Sequence, residues 1–500
     1  MRGAYVTYSG RNRVVTVGNG FFSRTLSVDP NVPGVATVRF RTRDGRDLIR
    51  GSTEEFRIRV GEKDVLGFGG DLVFDSYETS GDPSGVRRVR IALKSKSQPN
   101  TKPMLKVSLG FDVFPDVPVM RKSLEMTNTS GVPLRIGGVI AERLAWNAPA
   151  RVVGWDRSDT LTPWTLPASV SEEGGLFWLQ SSSSAYPAVG FANEAPGPLK
   201  RAEVAANGDL LVGTGDVASD FWMQTDETVA LPAVWMYLAQ DGNVLSGSAA
   251  FLEALRTAGR TLRHDDAAAI YAGEVADATP ANLSRLRPGS VVCLNYAWQK
   301  DLNAQSQLPT HLFRAAVTIR NAGLRFGIRV PMAWLPVDWT DKNGVAWAQT
   351  DANGKPVAAT WDGTPGVQAS VASDYGVVAS RSLIAIANEL GPDYVLLDGS
   401  LRIGDRAAVG YGTEPRRRVS DWTLWTRALW MLNTLARERP QTAIGVSSSL
   451  YGMSRGFDLP MSVVGFLWSW GSEPTTNNPF WRMVQPLAPK RVNAPATSSQ

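Results

Sequence analysis

The ten residues GPDYVLLDGS, Gly391–Ser400, decide how the second half of this chain is read. A glycine–proline pair stops a helix, Tyr394-Val395-Leu396-Leu397 makes a short buried strand, and one carboxylate, Asp398, stands where that strand emerges. In parallel α/β folds the C-terminal ends of strands are where reacting groups collect. A charge placed directly after four apolar residues is costly to desolvate without a partner or a task. Taken alone, the segment also fits a plainer reading, in which Asp398 caps the next turn.

The sequence around it alternates strand and helix. Val291–Ala297 (VVCLNYA) reads as a strand, a helix runs from Thr310 as N-cap to a stop at Gly323, and Phe326–Met332 (FGIRVPM) is the next strand. Ser373 caps DYGVVASRSLIAIANEL, which leads into the Asp398 strand. Ser420 caps DWTLWTRALWMLNTLARER, followed by strands at Ala443–Ser447 and Val463–Trp468. With a faint first strand at Ala268–Ala272, six barrel strands are legible. This alternation implies a parallel sheet, and a (β/α)8 TIM-type barrel is the expected closure; because eight strands are needed, either the barrel is atypical or, the favoured expectation, it is incomplete at the C-terminus.

The first half has a different period. Arg13–Val17, Phe56–Val60 and Val89–Leu93 alternate apolar and polar residues, punctuated by Gly, Pro, Asp and Asn. Many short strands over this length point to a large antiparallel β-sandwich. The expected organisation is therefore a β-rich domain over 1–247, a helical linker over 248–264 beginning SAAFLEALRTAGR, a barrel over 265–485, and a flexible Pro/Ala/Ser tail over 486–500.

Composition narrows the chemistry. Five hundred residues exceed one compact core, and 43% hydrophobic with 20% charged residues is globular. No apolar run of about eighteen residues offers a membrane span. One cysteine, Cys293, excludes internal disulfides and thiolate clusters, and two histidines, His264 and His311, argue against a His-rich metal site. No metal or cofactor is expected. The start, MRGAYVTYSGRNRVV, lacks the apolar core of a secretory leader, which with the absence of disulfides favours the cytoplasm, unless a leader is missing from this sequence. A net charge of +5 is dispersed, and the cluster Arg416–Arg418 reads as solvated surface, so nucleic acid is not expected as a partner. Seventeen tryptophans make carbohydrate a candidate ligand, because indole faces stack on sugar rings.

Retaining cleavage of a glycosidic bond needs two carboxyl groups, one attacking and one donating a proton. Asp398 is one candidate. Glu473, in VVGFLWSWGSEPTTNNPFW, is the other, again just beyond an apolar strand, with Trp468 and Trp470 placed to wall a sugar or shield the acid. Ser448 and Arg455, in SSSLYGMSRGFD, offer room and a hydrogen-bond donor, although an ordinary loop reads equally well. Asn295, Tyr296 and Trp298 end the second strand; Trp334 follows the third, with Trp339, Asp338 and Asp341 beyond it. Trp334 and Trp339 fit core packing as well as a sugar platform, and Asp338 and Asp341 fit solvated loops.

Read in order, these segments resemble the melibiase-type α-galactosidases of glycoside hydrolase family 36. VTVGNGFFSRTLSVD (Val15–Asp29) resembles the opening of the family's β-supersandwich, and Asn295-Tyr296-Ala297-Trp298 stands where the family has Asp-Asp-Gly-Trp. DYVLLDGS is similar to DYVKWDMN, SSSLYGMSRGFD to the Ser/Gly-rich segment ending Arg-Phe-Asp, and WSWGSEP to WTSDNTD. The resemblance implies a supersandwich followed by a barrel, Asp398 as nucleophile and Glu473 as acid/base. Three sugar-reading charges differ: the family lysine is Leu396 here, and the aspartate pair is Asn295-Tyr296. The acid/base is Glu where the family has Asp. These departures point away from terminal α-galactose, toward another α-linked sugar or a relative without activity.

Three functions stay open from sequence. The first is a retaining α-glycosidase, or a transglycosylase using the same double displacement. The second is a carbohydrate-binding protein without catalysis. The third is an assembly role for the β-rich half, which would make the chain a homo-oligomer.

Overall fold

The structure, a computed structural model, describes residues 3–96, 104–147, 149–155, 161–171, 176–183, 186–195, 200–214, 221–258, 266–301, 308–339, 347–351, 355–398, 408–409, 418–419, 421–447, 466–470 and 490–493. The chain divides into two units, Met1–Ala254 and Leu255–Gln500. Among the described residues, no helix is long and apolar enough to cross a membrane.

The first unit is built from antiparallel sheets of four, ten and seven strands. Alternation drives it: in Phe22–Ser27 every second residue is buried, and Val119–Asn128 repeats the pattern over ten residues. The helix Val244–Ala258 is fastened to this unit by Trp178, whose Nε1 donates to Ser248 Oγ at 2.9 Å.

At the centre of the unit lies a buried ionic quartet. Arg24 comes from the four-stranded sheet, Lys122 from the ten-stranded sheet, and Glu55 and Glu142 from the seven-stranded sheet. Arg24 donates to Glu142 Oε2 and to Glu55 Oε2, each at 2.7 Å, and Lys122 Nζ reaches Glu142 Oε1 at 2.8 Å and Glu55 Oε2 at 2.9 Å. Two cations meet two anions, so the burial cost is repaid only while all four are present. Burial alone would push the Glu55 carboxyl up, but Arg24 and then Lys122 outweigh it and bring it down to about 2.

The second unit contains a closed barrel of seven parallel strands: Ile270–Gly273, Val291–Asn295, Arg325–Pro331, Tyr394–Asp398, Ala443–Ser447, Phe466–Trp470 and Lys490–Asn493, called the first to seventh barrel strands below. All six strands legible in the sequence are there, with ends shifted by a few residues. The described ring is one strand short of the eight expected. The seventh strand stands inside the 486–500 stretch expected to be a tail, and it closes the ring by pairing with the sixth (Trp468 with Lys490) and the first (Ile270 with Val492). A four-residue strand framed by prolines and small residues carries too little apolar periodicity to be seen in sequence.

The barrel interior is apolar below its mouth: Ile270, Ala272, Val291, Cys293, Tyr394, Leu396 and Ala443 form one cluster. Gly327 makes room for it, since a Cβ there would lie 2.5 Å from Cys293 Sγ and 3.1 Å from Tyr394 Cβ. The helix before the Asp398 strand, Asp374–Leu390, starts and stops as its sequence indicates. Ser373 accepts from the Tyr375 N–H, and Gly391 takes the left-handed conformation (φ 58°) at the C-cap. The expected cap at Thr310 is off by one residue, because Pro309 takes the N-cap and Thr310 begins the helix. The expected cap at Ser420 lies outside the described residues.

Removing one member of the quartet, as in Glu142→Ala, leaves buried cations uncompensated and should cost about 3–5 kcal/mol in denaturant unfolding. The folded Glu55 carboxyl, at about 2, lies below its unfolded value of roughly 4.3, so its contribution is complete above that value and is lost as pH falls toward 2. Unfolding midpoints measured from pH 6 down to pH 2 should therefore fall; a flat profile would contradict the assignment.

Candidate active site

Every barrel strand runs the same way, so the residues at their C-terminal ends share one mouth. Glu274 follows the first strand, Asn295 ends the second, Arg329 lies in the third, and Asp398 ends the fourth. The three-stranded antiparallel sheet Trp334–Pro336, Ala358–Trp361 and Thr364–Gln368 rises between the third and fourth strands. Its two-residue turn, Asp362-Gly363, has φ of 51° and 74°, the paired positive angles of a type I′ hairpin that an Asp-Gly sequence favours.

These elements bring one connected set of polar groups together. Arg329, almost wholly buried, donates Nε to Asp398 Oδ2 at 2.9 Å, and its Nη2 donates to the same oxygen. Its Nη1 reaches Asn295 Oδ1 at 3.1 Å and Asp362 Oδ1 at 3.3 Å. The Asn295 amide nitrogen donates in turn to Glu274 Oε1 at 2.9 Å and Asp362 Oδ2 at 2.8 Å. The guanidinium lies 5.2 Å from the centre of the Trp361 ring, and the Trp334 ring lies tilted against Trp361 with centroids 6.0 Å apart.

Beside this set a second, smaller one fixes the loops. Tyr375 OH donates to the Met332 carbonyl at 2.9 Å and accepts from Gln299 Nε2 at 3.0 Å, and Gln299 also donates to the Pro331 carbonyl. Met332 N–H donates to the Asp398 carbonyl at 2.8 Å, so the strand end carrying the carboxylate is held from the neighbouring strand. Burial pushes the Tyr375 phenol far above its ordinary value, which keeps it a hydrogen donor. Among the described residues, no group of three or more His, Cys, Asp and Glu side chains stands together as a metal site.

The residues singled out in sequence fall into three groups. Asp398 is at the mouth, buried to 8% exposure, and Asn295 is beside it. Tyr296, Trp298 and Trp334, expected to line a sugar pocket, are buried at 9%, 4% and 1% exposure; Trp298 stacks on Tyr375, and Trp334 lies tilted against Trp361. Trp339 is likewise stacked, on Trp347, while Asp338 is exposed. The backbone of Trp470 ends the sixth strand, but its side chain and all of Asp341, Ser448, Arg455 and Glu473 lie outside the described residues. Arg329, Glu274 and Asp362 were missed. The reasoning applied to Asp398 would have found Arg329, a charge inside the apolar run FGIRVPM, and the Asp-Gly turn signal marks Asp362.

No family model and no curated protein sequence matches the chain. Solved structures do. An α-galactosidase from Lactobacillus brevis superimposes with a TM-score of 0.68 at 12% identity, over 96% of this chain and 75% of that one. A family 36 α-galactosidase AgaA variant from Geobacillus stearothermophilus, in complex with stachyose, gives 0.67 at 14% identity over 96% and 78%. The AgaB enzyme of the same organism gives 0.66 at 13% identity over 99% and 84%. The chain therefore has the fold of family 36 α-galactosidases, antiparallel sheets followed by a barrel.

Tyr375→Phe removes the donor to Met332 and the acceptor for Gln299 while keeping the ring. Urea unfolding should show a loss of about 1–3 kcal/mol, the cost of buried groups left unpaired; an unchanged midpoint would mean that these two bonds carry no net stability.

Proposed function

We propose that this chain is a retaining α-glycosidase of the α-galactosidase type, acting without a metal by double displacement. The supporting observation is the position of Asp398: a buried carboxylate at the C-terminal end of a parallel barrel strand, held by Arg329. We read the seven-strand ring as a variant of the (β/α)8 barrel, and the antiparallel sheets of the first unit as a β-supersandwich.

In this reading Asp398 attacks the anomeric carbon as the bond to the leaving oxygen breaks. Glu473 gives its proton to that oxygen, and a glycosyl ester of Asp398 forms. Glu473, now a carboxylate, takes a proton from water, whose oxygen displaces Asp398 and restores the α configuration. A sugar hydroxyl in place of water would give transglycosylation. Glu473 follows the sixth strand, two places around the ring from the fourth. At about 4.8 Å per strand, carboxylates converging from both can approach the roughly 5–5.5 Å that retention needs. Ser448, Arg455 and Trp470, from the fifth- and sixth-strand segments, would then contact the sugar.

One observation favours a second reading, a carbohydrate-binding protein without catalysis. Asn295 gives both amide hydrogens to protein carboxylates and accepts from Arg329, and Asp398 already carries a guanidinium. Sugar binding by calorimetry with no product from a panel of aryl α-glycosides would select that reading.

Asp398→Asn should abolish turnover of the best aryl α-glycoside while circular dichroism shows the fold retained, and Glu473→Gln should lower kcat by about 10²–10⁴-fold. Azide added to Asp398→Ala should restore turnover and yield a glycosyl azide of β configuration. Near-normal hydrolysis by Asp398→Asn would remove Asp398 from the mechanism.

A further inference from the structure

We propose that Arg329 is the positioning residue of this site: its guanidinium fixes the orientation of the Asp398 carboxylate and ties it to Asp362 on the hairpin turn. The inference rests on the reading of Asp398 as nucleophile and deepens it.

The strand register supplies the first argument. Arg329 pairs with Leu396, the residue two before Asp398, so the cation next to the carboxylate comes from the neighbouring strand. From that position the side chain runs one step up the barrel to its mouth, where Pro331 pairs with Asp398. The second argument is the geometry of the fork. Nε and Nη2 both engage Oδ2, so one carboxylate oxygen is anchored against the guanidinium edge by two donors. Nη1 is held by Asn295 and Asp362, and the Trp361 ring covers the group, so the guanidinium plane is itself constrained on several sides. A lysine ammonium, a point charge with rotating donors, cannot transmit that orientation.

Charge supplies the third argument. When Asp398 attacks, its negative charge passes into an ester bond, and a buried guanidinium with no other anion would be left uncompensated. Asp362 is that other anion: Arg329 keeps a carboxylate partner through the glycosyl-ester stage. This gives the Asp-Gly hairpin a function at the mouth beyond covering it. Asp362→Asn should therefore slow formation of the ester more than its hydrolysis.

The test compares the wild type with Arg329→Lys and Arg329→Ala on the aryl α-glycoside that the wild type turns over best. In Arg329→Lys, kcat should fall by about a hundredfold or more with KM within about threefold, and the melting temperature should stay close to that of the wild type. In Arg329→Ala, free guanidinium at non-denaturing concentration should recover part of kcat. Unchanged kcat in either variant, or a loss that follows melting temperature with no recovery by guanidinium, overturns the proposal. Carbodiimide labelling of Asp398, read by mass spectrometry, needs no turnover: it should be slow in the wild type, several-fold faster in Arg329→Ala, and slowed again by guanidinium. If the wild type hydrolyses no glycoside, the enzymatic reading falls and the labelling decides the Arg329 proposal alone, with equal rates in both proteins refuting it.

Discussion

The guanidinium of Arg329 against the carboxylate of Asp398 is the interaction around which the barrel mouth is arranged. Each charge would be costly to bury alone, and each is supported by a different strand. Asn295 and Asp362 complete the arginine's partners, and Glu274 extends the set to the first barrel strand. Four neighbouring strand ends and one hairpin are thereby linked through side chains as well as through the sheet. A pair built this way holds the Asp398 carboxylate in a fixed orientation at a position with little access to solvent.

The same principle appears in the first unit with a different outcome. Arg24, Lys122, Glu55 and Glu142 are also buried and charge-balanced, yet they join three sheets deep inside, where no substrate could reach them. Burial of paired charges is therefore not itself a mark of function. What separates the two clusters is location: one at the end of parallel strands beside an aromatic hairpin, the other buried among three antiparallel sheets.

Much of the fold could be read from the sequence because period is a strong signal where strands are long or flanked by capped helices. The Asp398 strand, its preceding helix with Ser373 and Gly391 as caps, and the change from β-rich to alternating structure all followed from local patterns. The seventh barrel strand did not, because Lys490–Asn493 has only four residues and gets its place from pairing with strands far away in sequence. The site was legible in part. Asp398 and Asn295 stand out as polar residues ending apolar strands, whereas an aromatic at a strand end carries no mark that tells packing from binding, and Tyr296, Trp298 and Trp334 are all buried. Arg329 is visible as a charge inside an apolar run, but its link to Asp398 spans 69 residues and exists only once the third and fourth strands pair.

The central claim is that two acids far apart along the chain face one sugar from the same rim. A crystal structure of Asp398→Asn with a bound α-glycoside measures this most directly. The account predicts side chains 398 and 473 about 5–5.5 Å apart on opposite faces of the anomeric carbon. A sugar seated with residue 473 more than about 9.5 Å from residue 398, beyond the range for either retention or inversion, would contradict it.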